Sequence, residues 1–447
     1  MRTDLTMPVE HLSSVPPATS EGSLVRTVGY RAPENAAAGS AASVRVCLLT
    51  GGDDRPYALG MACALAGQGI SVDFIGSDKL DEPELHRSPL IAFLNLRGDQ
   101  NEDAPLLRKV VRILTYYARL ASHVPRSQAQ IFHVLWNNKF EHFDRVVLML
   151  YYRLFWKRVV FTAHNVNTRK RGGHDSWLNR FTLRIQYRLC SHILVHTAAM
   201  KRELLADFGI APERVSVIPF GINDTNRKTD LDRLGARTKL GLAPMEKTIL
   251  FFGQIAPYKG LEFLVAALSR LIPNLPEVRL VIAGKVKKGF ERYWKPIQAE
   301  ISRPELQGRV IARIQHIPDD DVEIYFKAAD VLAVPYLDIF QSGLPFLAYS
   351  FGLPVIVTDV GSLREDVIEG DTGMICRPRS AADLAEAVLA YFRSELFLQL
   401  ERRRAMIRKF AMERYSWAKV AATTVAVYSQ LLDEKPMMYS PPQQTGD

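Results

Sequence analysis

The chain of 447 residues carries a formal net charge of +9, and hydrophobic residues make up 47% of it. A single hydrophobic core stops growing at about 250 to 300 residues, so this length favours two domains. No stretch approaches the roughly 18 consecutive apolar residues of a membrane-spanning helix. Cys47, Cys63, Cys190 and Cys376 lack CxxC spacing, which argues against a disulfide framework or zinc site and favours buried thiols in a reducing cytosol.

The two ends of the chain differ in composition from the rest. Residues 1–43 contain proline and alanine runs with scattered charge and no hydrophobic periodicity, and they lack the apolar region of a secretion signal. Residues 434–447 contain the sequence PPQQ. We therefore predict disordered tails at 1–43 and 434–447.

The ordered chain begins with a pattern of strand, glycine-rich turn and helix. The strand is predicted at Val44–Thr50 and the helix at Pro56–Gly67, with Gly51 and Gly52 in the turn. This turn lacks the G-x-G-x-x-G spacing of a dinucleotide fingerprint, so NAD is not expected. Its glycines allow a ligand to approach the backbone at the carboxyl end of the strand. Later strands of this half are predicted at Ser71–Ile75, Ile131–Leu135, Val159–Thr162, Ile193–His196 and Val215–Pro219.

A basic and aromatic segment lies in this half. Between Glu141 and Cys190 there are ten Lys or Arg residues against three acidic ones, and Arg145–Arg158 interleaves its bases with aromatic residues. A basic helix of this kind suits an anionic lipid surface. A core helix leading into the buried strand Val159–Phe161 would show the same pattern, so both interpretations stay open. Nucleic acid is not expected as a partner, because no recognised module and no stacking platform is present.

A polar linker at 223–246 precedes a second half with the same alternation of strands and helices. Lys247–Phe252 is predicted as a strand, and Tyr258, Lys259 and Gly260 open a helix that runs to Leu271. Further strands are predicted at Arg279–Ala283, Val310–Ile317, Val331–Pro335 and Val355–Thr358, and a helix with Asp319 as its N-cap at Asp319–Ala329. Two doubly wound α/β halves indicate a ligand cleft where the ends of their strands face each other.

A pattern suited to binding an anion lies just before the strand Val355–Thr358. Gln341, Ser342 and Gly343 stand where a helix should begin, and Pro354 follows its end. The start of a helix presents free backbone N–H groups and the positive end of its dipole, so a phosphate can bind there without a metal. An ordinary connection between helix and strand has the same local pattern.

Six segments of the chain together resemble one protein family. They are Phe251–Gly260 (FFGQIAPYKG), Leu280–Gly284 (LVIAG), Ala329–Pro335 (ADVLAVP), Gly352–Gly361 (GLPVIVTDVG), Thr162–Asn165 (TAHN) and Ile218–Ile222 (IPFGI). By their order and spacing the chain resembles glycosyltransferase family 4, retaining nucleotide-sugar enzymes of the GT-B architecture. The resemblance implies an α/β fold with two facing Rossmann-like domains, an acceptor-side domain at 44–222 and a donor domain at 247–415. It also implies a C-terminal helix at 416–433 that returns to the N-terminal domain.

On the donor side, the resemblance implies that Gly253 and Lys259 approach the donor diphosphate, where the lysine would neutralise the leaving group. A solvated lysine in a first helical turn is the alternative for Lys259. Gln254 stands where the family usually has arginine. The other implied donor-binding positions are Gly284, His316, Ile317, Asp338, Gln341, Ser342, Gly343 and Leu344, with His316 and Ile317 nearest the nucleobase.

The chain departs from the family at an acidic pair that many members carry. Two glutamates eight positions apart would fall at Ile339 and Leu347, and neither residue is acidic. The chain resembles a branch in which Gln341 and Ser342 take over polar contacts to the donor sugar or phosphate. Asp338 is the nearest carboxylate.

On the acceptor side, His164 follows a buried strand and matches the histidine of the family's cleft. A neutral histidine can donate a hydrogen bond to a hydroxyl, so we expect it to position the sugar or acceptor, and a structural role is the alternative. Asn165, Gly51 and Gly52 are expected to line the same side.

The resemblance implies a retaining, metal-independent glycosyltransferase with no cofactor, which uses a UDP- or GDP-linked sugar as cosubstrate. The acceptor would be a saccharide or a lipid-linked saccharide, in exopolysaccharide or glycolipid synthesis. We expect a cytoplasmic protein, peripheral at the inner face of the membrane if the basic segment binds lipid. The alternatives are a non-catalytic subunit of the same fold, suggested by the missing glutamates, and a nucleotide-sugar epimerase.

Overall fold

The structure is a computed structural model, and it describes residues 44–51, 54–101, 103–167, 175–222 and 229–433, all within one compact unit. The tails predicted at 1–43 and 434–447 lie outside the described residues. So do Gly52 and the first part of the linker predicted at 223–246. Of the helices in the described ranges, none has the length and apolar character needed to cross a membrane.

The first half is built on a parallel sheet of seven strands in the order β3-β2-β1-β4-β5-β6-β7. These strands are β1 Arg45–Leu49, β2 Ser71–Gly76, β3 Ile91–Asn95, β4 Ile131–Val134, β5 Arg158–Ala163, β6 His192–Val195 and β7 Val215–Val217. The central strands β4 and β6 are buried along their whole length. Continuous burial of this kind is expected where helices cover both faces of a parallel sheet.

Helices cover this sheet on both sides, and several of them begin at residues suited to capping. Asp54 caps the first helix by accepting a hydrogen bond from the Tyr57 backbone N–H at 3.2 Å, and Thr197 caps the seventh in the same way. The described helices of this half are α1 Arg55–Gly67, α2 Pro83–His86, α3 Leu106–His123, α4 Glu141–Phe143, α5 Met149–Leu154, α6 Trp177–Leu189 and α7 Ala198–Phe208. A π-helical turn, Asp144–Leu148, joins α4 to α5.

The second half repeats this design with a parallel sheet of six strands in the order β10-β9-β8-β11-β12-β13. The strands are β8 Lys247–Phe252, β9 Val278–Ala283, β10 Val310–Arg313, β11 Val331–Val334, β12 Val355–Thr358 and β13 Gly373–Cys376. The helices are α8 Arg233–Leu240, α9 Leu261–Leu271, α10 Glu291–Ile301, α11 Val322–Ala328, α12 Leu344–Ser350, α13 Ala381–Arg393, α14 Glu395–Leu398, α15 Leu400–Tyr415 and α16 Trp417–Asp433. The predicted fold class, two Rossmann-like α/β domains, is confirmed.

Some predicted elements differ from the structure in their bounds. The strand predicted at Val310–Ile317 ends at Arg313, because β10 is an edge strand and its only neighbour, β9, ends opposite that residue. The predicted cap at Asp319 is wrong. Pro318 occupies the cap position, and Asp319 lies in a short 3-10 turn before α11 with no capping bond from a side chain. Strands β3 and β13 were not predicted.

Each sheet has one point at which the strand order reverses. In the first half β1 pairs with both β2 and β4, and in the second half β8 pairs with both β9 and β11. In open α/β sheets, ligands bind in the crevice outside the carboxyl ends of the strands at such a reversal. The connections that follow β1, β4, β8 and β11 are therefore the first places to look for a site.

The last helix, α16, returns to the first half, which confirms the prediction for the C-terminal helix. The Tyr428 hydroxyl lies 2.6 Å from Nδ1 of His133 in β4. The Trp417 ring packs edge-on against Tyr57, with 5.1 Å between ring centroids. This indole fills a slot between Gly60 and Gly221, because a Cβ on either glycine would lie within 2.5 Å of an indole atom.

We predict that Gly60→Ala destabilises the protein by about 1–3 kcal/mol, the usual cost of overpacking. Its Cβ would lie 2.1 Å from Cε2 of Trp417. The indole ring of Trp417 is already confined by Tyr57 and Gly221. Gly67→Ala in the same helix is the control, because nothing lies within 4 Å of its Cβ position. We expect that change to stabilise by about 0.4–1 kcal/mol. Urea unfolding measures both, and an unchanged midpoint for Gly60→Ala would contradict the tight fit.

Candidate functional site

A lysine stands at the reversal point of the second sheet. Lys259 belongs to a short 3-10 turn after β8, and Gly260 follows it with a φ of 64°. A Cβ at Gly260 would lie 2.1 Å from the carbonyl oxygen of Pro335, the residue after β11. The positive φ and this close approach require glycine. Gly260 thereby holds the Lys259 turn against the end of β11.

The Lys259 ammonium is largely desolvated and has no acidic partner among the described residues. Its Nζ donates a hydrogen bond to the Tyr336 hydroxyl and lies 3.9 Å from the centroid of that ring and 5.3 Å from that of Tyr258. In the described part of the chain, no carboxylate lies within ion-pair distance of it. Burial lowers the pKa of Lys259 to about 8. A cation placed in this way gains stabilisation when an anion binds beside it.

The segment predicted to start a helix lies next to this lysine. Tyr336 is fully buried, and its hydroxyl interacts with Ser342 as well as with Lys259. Helix α12 begins at Leu344, whose backbone N–H already donates to Ser342 Oγ at 3.2 Å. One of the N–H groups expected to be free is therefore occupied. By contrast, Oε1 of Gln341 is buried without a hydrogen-bond partner.

The other predicted donor residues occupy different environments. The side chain of Ile317 packs in the core, so only its backbone could contact a nucleobase. Gly284 has a φ of 150°, and a Cβ at this position would lie 1.8 Å from the Gly253 carbonyl oxygen. Glycine therefore permits the close contact between the ends of β8 and β9. Leu344 packs partly against the core. Gln254, His316, Asp338 and Gly343 are exposed.

His164 lies at the carboxyl end of the first sheet, directly after β5, which is the strand next to β4. Its ring stacks on Trp136 at a centroid distance of 4.3 Å with an interplanar angle of 3°. The Tyr57 ring meets it edge-on at 4.7 Å, and Nε2 of His196 lies 3.0 Å from its Nδ1. These contacts fix the plane of the imidazole.

Burial keeps this histidine pair neutral. Desolvation, followed by the neighbouring His196, lowers the pKa of His164 well below its ordinary value, and burial lowers the pKa of His196 to about 4. Nε2 of His164 is buried without a hydrogen-bond partner. The neutral ring can therefore exchange a hydrogen bond with a ligand hydroxyl through Nε2.

Of the remaining predicted acceptor-side residues, Gly51 and Asn165 are described. A Cβ at Gly51 would lie 1.9 Å from the Trp136 carbonyl oxygen, so glycine permits the contact between the ends of β1 and β4. Asn165 is exposed. Gly52 lies outside the described residues.

Phe220 connects the two halves of the candidate site, a role that was not predicted from the sequence. Its ring lies 5.2 Å from His196 and stacks on Phe346 of α12 at 5.4 Å. The Cβ position of Gly343 is 3.4 Å from the same ring. The IPFGI segment that contains Phe220 was noticed only as a family motif, because an aromatic contact between domains has no local signature.

No group of three or more His, Cys, Asp or Glu residues in the described ranges could hold a metal ion. The described acidic triplet Asp319–Asp321 forms part of a helical turn.

The basic segment Arg145–Arg158 is folded differently from the helix considered in the sequence analysis. Its helical part ends at Leu154, and Lys157 donates hydrogen bonds to the backbone carbonyls of Ser127 and Ala129. Lys157 is therefore a structural residue. Trp156, with 86% of its surface exposed, is the most accessible aromatic residue of the segment.

Exposed apolar residues are also present on three neighbouring helices, α3, α5 and α6. Helix α3 touches the π-helical turn through Tyr117 and Asp144, whose hydroxyl and carboxylate oxygens are 2.8 Å apart. Helix α6 touches the same turn through a 2.9 Å hydrogen bond from Arg145 to Asn179. The exposed apolar residues on these helices are Leu106, Leu107, Val110, Val111, Leu114, Leu150, Leu154, Trp177, Leu178 and Phe181. Together with exposed Arg108, Arg153, Arg180, Arg184 and Arg188, they form what we term the basic-apolar face.

Two family models match the chain. The model described as Glycosyltransferase Family 4 matches residues 56–226, and the model described as Glycosyl transferases group 1 matches residues 232–411. Together they cover the second sheet and all of the first sheet except β1.

Among curated proteins, the chain is 30% identical over 253 residues to the D-inositol 3-phosphate glycosyltransferase of Geodermatophilus obscurus. The match covers 54% of this chain and 53% of that protein, so the chain spans about half the length of the curated relatives it matches. Among solved structures, sucrose-phosphate synthase from Thermosynechococcus elongatus superposes with a TM-score of 0.69 at 19% identity, over 87% of this chain and 99% of that one. HepE of Anabaena, solved with UDP, gives 0.66 at 17% identity, over 87% and 100%. These structural likenesses concern the fold.

The lowered pKa of Lys259 predicts a pH-dependent affinity for nucleoside diphosphates. The ammonium is charged below a pH of about 8 and neutral above it, so UDP or GDP should bind less tightly as the pH rises from 7 to 9.5. Calorimetric titration at fixed ionic strength measures this.

Lys259→Arg is the matched control, because a guanidinium stays charged over the whole range. Its affinity should not change with pH. A wild-type affinity that is constant across the same range would contradict a role for Lys259 at the diphosphate.

Proposed function

We propose that this chain, which belongs to the family 4 glycosyltransferases of GT-B fold, transfers a sugar from a nucleoside-diphosphate donor to an acceptor hydroxyl. The observation that carries the proposal is the Lys259 ammonium. It lies at the reversal point of the second sheet, desolvated and without a carboxylate partner in the described residues. A diphosphate leaving group develops negative charge as the glycosidic bond breaks, and a preorganised cation stabilises that charge.

The groups around Lys259 support binding of the same diphosphate. Tyr336 orients the ammonium by accepting its hydrogen bond, and Ser342 interacts with that hydroxyl. The unpartnered Oε1 of Gln341 can accept a hydrogen bond from a donor hydroxyl. Gln341 and Ser342 would thus supply polar contacts in a chain that has Ile339 and Leu347 where many relatives carry glutamates.

On the opposite side, neutral His164 would position the transferred sugar or the acceptor through its unpartnered Nε2. We propose a retaining, metal-independent reaction in which the leaving diphosphate itself accepts the proton of the acceptor hydroxyl. Catalysis would then consist of positioning and charge stabilisation. This assignment leaves no step that needs a separate general base.

We also propose that the acceptor is a saccharide or lipid-linked saccharide, used in polysaccharide or glycolipid synthesis at a membrane surface. The basic-apolar face supports this part of the proposal. Leu107 and Leu114 are 76% and 63% exposed, which is unusual for leucine side chains seven positions apart on one helix. Apolar residues beside arginines match the boundary between acyl chains and anionic headgroups. Attachment there would bring the acceptor half to a lipid-linked acceptor.

The catalytic proposal is tested by nucleoside diphosphate release from UDP- and GDP-sugars in the presence of lipid and saccharide extracts. We expect Lys259→Ala to lower turnover about 100-fold or more, the scale for losing one preorganised charge-stabilising group. Lys295→Ala, an exposed lysine in α10, should have no effect. Full activity of a folded Lys259→Ala protein would rule out the assigned role.

The same assay distinguishes the alternatives. If the wild-type chain releases nucleoside diphosphate from no donor, a non-catalytic subunit is the better explanation. An epimerase would instead change the donor sugar without any acceptor and release no nucleotide.

Membrane attachment is tested by sedimentation with anionic vesicles at low and high salt. Each basic residue near an anionic surface contributes about 1 kcal/mol, so salt should release the protein. The double change Leu107→Glu and Leu114→Glu should reduce the bound fraction at least tenfold, because inserting each leucine contributes about 1.5–3 kcal/mol.

The control for vesicle binding is Leu398→Glu, which changes a leucine that is 66% exposed in α14 of the other half. It should bind as wild type does. If wild-type protein fails to sediment with anionic vesicles at every salt concentration, the basic-apolar face does not bind lipid and a soluble acceptor is favoured.

A further inference from the structure

A basic depression lies in the first half, beside the end of β3. It encloses about 390 Å³ including its open mouth, and its polar lining contains Arg97, Arg112 and Lys139 together with Tyr116, Tyr117 and Asn138. Three cations from three separate segments face one depression.

Arg97 is the cation of this depression with an unpartnered buried nitrogen. Its Nη1 is buried and has no hydrogen-bond partner, and its guanidinium carbon lies 5.5 Å from the centroid of the Tyr116 ring. Arg97 forms no ion pair with any described residue. Because a buried N–H group normally has a partner, this nitrogen points to a missing acceptor.

The carboxylates near the depression already have partners. Asp99 pairs with Arg112 at 3.0 Å. Asp144 accepts a hydrogen bond from the Tyr117 hydroxyl at 2.8 Å and another from the Asn138 backbone. Neither carboxylate hydrogen-bonds to the buried nitrogen of Arg97, although the charge of Asp144 lies close enough to interact with the guanidinium.

The depression has a neighbouring cavity on the side of Trp136. A second, smaller cavity is lined by Gly51, Trp136, Tyr116 and Asn138, and the last two residues also line the first. Trp136 is the residue on which His164 stacks. The basic depression therefore borders the cavity next to Trp136, on the same side of the first half as His164.

We infer that this depression binds a phosphoryl group carried by the acceptor, with Arg97 as its principal ligand. This inference deepens the proposed function and rests on it. Guanidinium groups present paired N–H donors that match phosphate oxygens, and Lys139 adds a point charge. Tyr116, Tyr117 and Arg112 all belong to α3, whose outer side carries the basic-apolar face. The phosphoryl group can thus come from a soluble phosphate ester or from a lipid headgroup.

The experiment uses inorganic phosphate as the probe and the full chain as the protein. Phosphate affinity is measured by calorimetry for wild type, Arg97→Gln, Arg97→Lys and Arg119→Gln. Each titration is repeated in a Lys259→Ala background, because the donor side can also take phosphate. We expect Arg97→Gln to weaken binding at least tenfold in both backgrounds. Arg97→Lys should weaken phosphate binding less, because lysine keeps the positive charge and loses only the paired N–H donors of the guanidinium.

Arg119→Gln is the matched control, because Arg119 is an exposed arginine of α3 outside the depression. An equal loss for Arg119→Gln and Arg97→Gln would overturn the inference in favour of a diffuse basic field. Unchanged phosphate affinity in both folded Arg97 variants would overturn it too, and so would acetate binding as tight as phosphate. Circular dichroism checks folding, and Arg97→Lys gives a result even if Arg97→Gln does not fold.

Vesicles distinguish the two sources of the phosphoryl group. If Arg97→Gln lowers binding to phosphatidic acid more than to phosphatidylglycerol, the depression takes a lipid headgroup. If it lowers only the affinity for free phosphate, the depression takes a soluble ester. Phosphate binding needs no donor, so an Arg97-dependent site without nucleoside diphosphate release would sustain this inference while the proposed catalysis fails.

Discussion

The candidate site depends on the close contact of Trp417 with Gly60 and Gly221. This indole begins the helix that returns from the second half to the first, and only glycine leaves room for it on both sides. Tyr57 packs against the same indole and against the ring of His164. The return of the chain and the placement of the acceptor-side histidine therefore share one cluster of packed rings.

Burial has opposite consequences for the two halves of the cleft. It keeps His164 neutral, because desolvation disfavours the imidazolium and the neighbouring His196 adds to the effect. Burial also lowers the pKa of Lys259, but only to about 8. The ammonium therefore stays charged near neutral pH. One side can thus exchange hydrogen bonds with hydroxyls, while the other side holds a positive charge that has no described acidic partner.

The first half combines two features on one helix. The outer side of α3 exposes leucines and valines, while Arg112 and Tyr116 of the same helix line the depression that contains Arg97. A membrane-bound acceptor with a phosphorylated headgroup would meet both surfaces at once. This arrangement links the proposed attachment to a membrane with the proposed phosphoryl group of the acceptor.

The sequence alone determined the alternation of strands and helices, the two α/β halves and the family. Long apolar strands and glycine-containing turns are local signals, and Lys259 with Gly260 was recognisable from its motif. The bounds of β10 could not be recognised from the sequence, because the partner strand determines where an edge strand ends. The pattern of α3 predicts a helix before β4, but not that its leucines and valines stay exposed.

Tertiary structure decided which residues meet. Phe220, Trp417 and Arg97 owe their roles to neighbours that are distant in the chain, so no local pattern could mark them. Lys157 shows the reverse case. Its position in a basic segment suggested a lysine that faces either lipid or water, and two backbone carbonyls of another segment bind its ammonium instead. Long-range packing determines whether a charge is a surface feature, a structural anchor or a ligand-binding group, because only packing sets its desolvation and its partners.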